Sequence, residues 1–247
     1  MKRIKALLIA AIALNAAAQN VQLHYDFGHT INSNLSNRPS VTTTVEMFKP
    51  DGLGSTFLFV DIDYQRDGVA GAYWEISREF NFTRDKHWAA HIEYNGGLSS
   101  DEDTWNATRF QHALLLGCAY NWHNASYSST FSIQAMYKRY FKNRHWKLDG
   151  FNGFQLTGVW STTFGRRGLC TFSGFIDVWY DKNVSGKLIT LTEPQFWFNL
   201  NAIKGWEKVK LSIGTEVEMS NCFVYDRLGR NNRFYCIPTA AAKWTFN

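Results

Sequence analysis

A chain of 247 residues and 28.4 kDa is long enough to bury a core, but only 19% of it is charged while 16% is aromatic, with 10 Trp, 11 Tyr and 19 Phe against 4 Pro. That composition excludes disorder, because so much aromatic surface collapses, and the lack of 18 consecutive apolar residues after the N-terminus excludes a helical membrane protein. The formal charge of +5 falls to +2 once Lys2, Arg3 and Lys5 are set aside, which leaves 23 basic against 21 acidic residues and indicates no nucleic-acid partner.

Those three basic residues, the apolar run 6–14 and Ala16-Ala17-Ala18 follow one another in the order of a secretory signal. The chain therefore divides into a signal over 1–18 and a mature domain over 19–247, and is expected to leave the cytoplasm. From residue 20 onward, apolar and polar residues alternate with period 2 rather than 3.6. The pattern predicts twelve strands near 21–30, 40–49, 55–65, 70–83, 88–98, 108–121, 126–141, 153–164, 169–181, 187–200, 208–219 and 233–247. Most exceed the five or six residues usual in soluble sheets, and about 9 to 11 residues suffice for a tilted strand to cross a bilayer. Long connections (29–39, 99–107, 142–152, 220–232) alternate with short ones (83–87, 122–125, 165–168). This asymmetry fits an outer-membrane barrel with short periplasmic turns and long outer loops.

Parity along the strands assigns two faces. The apolar one carries Phe80, Phe82, Tyr120, Phe164, Phe196, Phe198, Trp244 and Phe246 towards the short-turn end, and Phe27, Trp74, Phe110, Tyr137, Phe154 and Tyr180 towards the other. Two such belts suit headgroup anchoring in lipid. The opposite face holds too much charge for a dry interior and is assigned to a wet lumen. Arg78 is the exception, lying on the apolar parity between Ile76 and Phe80. Together these features predict an all-β fold, a twelve-stranded antiparallel transmembrane β-barrel of the Gram-negative outer membrane, with lipid as its surroundings.

The segment Val21-Gln22-Leu23-His24-Tyr25-Asp26-Phe27-Gly28 and the block Phe57-Leu58-Phe59-Val60-Asp61-Ile62-Asp63-Tyr64, followed by Gly71-Ala72-Tyr73-Trp74-Glu75-Ile76-Ser77, resemble the nucleoside-specific (Tsx-like) outer-membrane channel family and its uncharacterised relatives, a domain of unknown function. The resemblance covers the first third of the chain, and beyond it only the strand plan. It implies a monomeric twelve-stranded barrel that passes nucleosides by diffusion.

Eleven acidic residues share the lumen parity, Asp61, Asp63, Glu75, Glu79 and Glu93 among them, against four basic ones, Lys138, Lys210, Arg233 and Lys243. If the third hairpin turns at 67–69, Asp61 faces Glu75; a turn near Lys86 sets Glu79 opposite Glu93. Such a pore disfavours anions and accepts small neutral or cationic solutes. Phe57, Phe59, Trp179 and Trp197 on the same parity offer stacking faces beside His91 and the carboxylates. The same rings could instead plug a narrow barrel or pack under an inward-folded loop.

Cys222 and Cys236 flank the polar segment 224–233 and either bridge the base of that loop or stay free thiols, while Cys118 and Cys170 read as small packing residues. Without CxxC or HExxH spacing, neither a metal site nor a cofactor is expected. His24, His91, Ser77 and Thr44 supply the residue types of nucleophilic catalysis without its motif, so the chain is not expected to be an enzyme. The function expected is a diffusion channel for small solutes. The alternatives are a closed structural or adhesive barrel and an outer-membrane lipid-modifying enzyme.

Overall fold

The computed structural model describes residues 18–66, 68–99, 111–144 and 147–246. The expected signal up to residue 17, Asp67 of the third hairpin, Phe110 of the outer belt, most of the loop over 99–107 and the start of the sixth predicted strand lie outside them. The strands are β1 (Ala18–Asp26), β2 (Val41–Pro50), β3 (Gly54–Gln65), β4 (Gly68–Asn81), β5 (Trp88–Ser99), β6 (Ala113–His123), β7 (Ser129–Tyr140), β8 (Phe151–Phe164), β9 (Cys170–Tyr180), β10 (Leu188–Thr192), β11 (Gln195–Asn199), β12 (Leu211–Asn221) and β13 (Phe234–Phe246). Neighbours pair antiparallel, and β1 closes on β13 with Gln19 opposite Phe246 and Asp26 opposite Thr239. Because β10 and β11 both lie between β9 and β12, they fill one position, and the thirteen segments make a closed twelve-stranded barrel. Closure leaves no unpaired edge, the condition for a sheet in hydrocarbon.

The break in the tenth position is local chemistry. Pro194 brings no N–H to the ladder, and opposite it Gly174 sits at φ +151, where a side chain's first carbon would lie 2.6 Å from the Glu193 carbonyl oxygen. Only glycine admits the kinked backbone that close. Elsewhere the strand limits fall near the period-2 reading. The chief difference is the first strand, which stops at Asp26 and gives way to helical turns at Gly28–Ile31 and Ser33–Leu35. On the two rims, the connections over 51–53, 82–87, 124–128 and 165–169 are short and those over 27–40 and 222–233 long, as read from the sequence. Two differ: β3 and β4 join within two residues on the long-loop rim, and 200–210 is long on the other.

Burial settles which parity faces out. Leu23 is 53% exposed while Gln22 and His24 beside it are buried, and the same alternation recurs with Ile76, Phe80, Ile92, Leu116, Ile133, Leu156 and Ile213 outside. The apolar parity is the outer surface. Phe80, Phe82, Phe164, Phe198, Trp244 and Phe246 girdle one end and Tyr137 and Phe154 stand exposed towards the other. Arg78, on that outer surface, reaches the rim: its guanidinium donates to both carboxylate oxygens of Asp51 in the β2–β3 turn at 2.6 and 2.9 Å and to Thr56 Oγ1 at 3.0 Å, and it lies 5.0 Å from the centre of the Phe80 ring. Placement at the rim with a partner keeps the charge out of the hydrocarbon, where an arginine costs most.

Candidate functional site: the barrel lumen

Register corrects two of the expected carboxylate pairs. The tight β3–β4 turn sets Asp61 opposite Tyr73 and Phe59 opposite Glu75, two residues from the expected Asp61–Glu75 pairing, because the connection is a two-residue turn followed by a register shift at Asp63/Tyr64. In the next hairpin Glu79 stands opposite His91, and Glu93 opposite Ser77. The imidazole of His91 comes between the carboxylates, 3.3 Å from Glu79 and 3.1 Å from Glu93. Asn121 Nδ2 donates to the second oxygen of Glu79 at 2.7 Å. Five further acids are held by neutral donors: Thr42 to Asp63 and Thr44 to Asp61, both at 2.5 Å, Tyr73 to Glu75 at 2.6 Å, Gln195 to Glu216 at 2.6 Å, and Thr157 to Asp177. Of the four bases assigned to the lumen, Lys138 and Lys243 face inward from β7 and β13, whereas Lys210 and Arg233 lie just outside the strands.

The expected aromatic faces divide. Phe57, Phe59 and Tyr73 form a half-buried ladder with ring centres 5.9 and 5.8 Å apart, reached by water from the lumen. Trp197 is 0% exposed and offers no free face, correcting its assignment as a stacking surface. Gly214 opposite it leaves room for the indole, His24 meets its edge and Lys243 lies 4.1 Å from the centre of its face. Trp179 packs edge-on against Phe223, a residue of the last outer loop. Half of the inward face of β6 to β8 is apolar: Ala113, Leu115, Met136, Tyr140 and Phe151 form a buried cluster against Trp179 and Tyr180.

The first and last outer loops fold over the seam where the barrel closes. Leu35 packs with Val224, Tyr235 and Ile237, and Arg227 N donates to Asn34 O at 2.8 Å. Arg38, from the first loop, donates to Asp26 of β1 and to Glu218 of β12, each at 2.9 Å. A cation from a loop thus clamps two strands at the outer mouth. In the last loop Asp226 accepts from the backbone of Leu228 and Arg230 and pairs with the Arg230 guanidinium at 2.7 Å; burial alone would raise its pKa, but these donors hold it below the usual carboxylate range.

Cys222 and Cys236 are free thiols. Cys236 pairs with Met219 on the outer face, whereas Cys222, past the end of β12 at φ +61, turns a buried sulfur against Gly186. That reversal points the two side chains apart, so the loop base is not bridged. Cys118 and Cys170 sit on the outward parity, not among packed residues. Among the described residues no group of three or more His, Cys, Asp and Glu is arranged to hold a metal ion. His91 lies between carboxylates, and the Thr239 hydroxyl 3.4 Å from His24 is engaged on both sides by the Glu216 backbone, so neither imidazole meets a free nucleophile.

A family model described as "Domain of unknown function (DUF5020)" matches residues 18–246, the whole barrel. The chain belongs to the DUF5020 family. A search of curated proteins finds no match. Among solved structures the DUF5020 barrel is similar to the NanC porin, at 12% identity with a TM-score of 0.59, covering 93% of this chain and 100% of that one. Lesser likenesses run to the KdgM porin (10% identity, TM-score 0.48, 93% and 99% covered) and to LpxR from Salmonella typhimurium (9%, 0.45, 93% and 100%). At these identities the likeness is one of fold. The nucleoside-specific family expected from the first third of the chain finds no support in them, while its coarser part, a domain of unknown function, is the family matched.

Proposed function

We propose that the DUF5020 barrel is a diffusion channel of the outer membrane, exported by its N-terminal signal, which passes small neutral or cationic solutes as a monomer and performs no catalysis. One observation carries this reading: the inward face of β2, β3 and β9 is acidic and reached by water at every level, from Asp63 and Asp61 to Glu46 and Asp177. Fixed negative charge in a narrow, partly low-dielectric pore raises the local concentration of cations and repels anions. The Phe57–Phe59–Tyr73 ladder supplies a surface for flat rings, worth ~1–3 kcal/mol per stacked base, and nucleosides are the solute class it suits. Reversal potentials in planar bilayers test the channel. Cations should be preferred, most strongly at low salt where screening is weakest, and Asp61→Asn with Glu75→Gln should reduce the preference while leaving the barrel heat-modifiable on gels. Phe59→Ala should weaken any nucleoside block of the current and barely move ion selectivity. An anion-selective parent would sink the lumen reading.

A closed barrel is the second reading, and the apolar cluster around Leu115 with the loop clamp at Arg38 favours it. Absence of conductance at every salt concentration would make it the leading one.

A further inference from the structure

Glu75 on β4, Glu93 on β5 and Asp177 on β9 repel one another across the lumen; Lys138 of β7 attracts all three, and His91 touches Glu93 alone of them. Lys138 does not neutralise them by contact. Its ammonium donates to Gln155 Oε1 at 2.6 Å and lies 5.3 Å from the ring centres of Tyr140 and Trp179. His91 holds only one oxygen of Glu93; the other, Oε1, is buried and has no hydrogen-bond partner among the described residues. Beside it Asn95, 3% exposed, donates Nδ2 to Glu75 Oε1 at 3.0 Å, which orients its own Oδ1 as an acceptor, and that oxygen too is buried without a partner among the described residues. A buried acceptor left unpaired is costly, and the cost is relieved by a donor rather than by a bare counter-ion.

We infer that Glu75, Glu93, Asn95 and Asp177 form a lumen subsite for the alkylammonium group of a small organic amine. The unpaired atoms are both acceptors, so the ligand must donate. Carboxylates outnumber the basic side chains here, so a ligand that brings charge should be a cation. The acids come from three separate strands without metal-ligand spacing, so the cation should carry several divergent N–H bonds rather than be a compact metal ion. An ammonium offers three donors, enough to reach Glu93 Oε1, Asn95 Oδ1 and a further carboxylate. Lys138 shows that this region accommodates the group, with Tyr140 and Trp179 as its aromatic wall. The inference deepens the channel reading by naming a solute class, and binding is measurable whether or not the barrel conducts.

The experiment is isothermal titration of the detergent-solubilised full barrel with 1,4-diaminobutane, and with 1,4-butanediol as its uncharged match, alongside conductance of the same preparation. The diamine should bind saturably and the diol should not. Glu75→Gln combined with Glu93→Gln should raise Kd tenfold or more, and Asn95→Ala several-fold, while Glu207→Gln in the 200–210 connection should leave it within twofold. If the double variant fails to show the heat-modifiable band, Asn95→Ala alone decides. Saturable, variant-sensitive binding without conductance keeps the subsite and removes the channel. Conductance with no diamine binding, or with binding indifferent to Asn95 and the two glutamates, overturns the subsite and leaves the channel standing.

Discussion

The wall built by β5 to β8 and the second wall, whose strands β2, β3 and β9 lie to either side of it in the barrel order, line the same lumen and are made differently. Along the first, Ala89, His91, Glu93, Asn95, Leu115, Ala119, Met136, Lys138 and Gln155 are all buried, with His91 held to Glu93, Lys138 to Gln155, and Leu115 and Met136 packed with Tyr140 and Phe151. Along the second, Thr42, Thr44, Glu46, Phe57, Phe59, Asp61, Asp63, Ser173, Phe175 and Asp177 are all partly exposed, and the acids are held by hydroxyls, with an amide at Glu46, rather than by bases. A hydroxyl satisfies a carboxylate oxygen without cancelling its charge, so the second wall keeps a negative field for a solute to meet, while the first supplies stiffness. The two walls thus assign stability and selectivity to different strands of one sheet.

The largest effect should come at the seam outside both walls, where the first outer loop clamps β1 to β12. Replacing Arg38 by Met leaves Asp26 and Glu218 facing each other with no cation between them at the outer mouth, and breaking a buried pair in this way costs about 3–5 kcal/mol. Limited proteolysis should then cut within 27–40, where the parent resists, and conductance should rise; an unchanged digestion pattern would show that Leu35 and the Asn34–Arg227 backbone bond hold the loop without the clamp. Next in size is the packed wall itself. Leu115→Ala, at a fully buried position, should lower stability by about 2–5 kcal/mol through lost contacts and a residual cavity. Phe57→Ala, on the half-exposed wall, should cost clearly less in the same urea titration. Equal losses at the two sites would erase the distinction between the walls.

Much of this was legible in the sequence because a barrel strand is the simplest periodic object a chain can form. Side chains alternate, so the parity that placed Leu23 and Ile76 outside and Gln22 and Glu79 inside needed no knowledge of partners. Register did need them. A two-residue turn between β3 and β4 moved Asp61 from Glu75 to Tyr73, a choice of turn length that alternation leaves open because a slip of two preserves the face. Loop residues had no periodicity to place them. Arg38 and Phe223 carry no signal that they fold back on the mouth, and Cys222 looked positioned to bridge until its left-handed backbone turned the sulfur inward. Asn95 shares the lumen parity, but nothing in an amide's sequence position marks it; its place becomes distinctive only through an oxygen without a partner among the described residues.

The smallest effect is expected at the foot of the open wall, where Asp51 fixes the turn that joins β2 to β3. Its Oδ1 accepts from Leu53 N at 2.8 Å and Gly54 N at 3.0 Å, so one carboxylate both caps the turn and holds Arg78 on the outer surface. The hydrogen bond from Arg78, with the backbone donors of Leu53 and Gly54, keeps its carboxyl well below the usual carboxylate range. A group whose folded pKa is depressed adds stability that is present above its unfolded value, about 4, and is lost as pH falls from there through the folded value. The stability difference between the parent and Asp51→Asn should therefore be flat at neutral pH and shrink steadily below about pH 4, and it should narrow with added salt because the pair is open to solvent. Urea unfolding at a series of acidic pH values measures it. A difference that stayed constant down to strong acid would mean that the asparagine caps the turn as well as the aspartate does and that Arg78 draws nothing from the charge; the outer-surface arginine would then be held at the rim by Thr56 and the Phe80 ring alone.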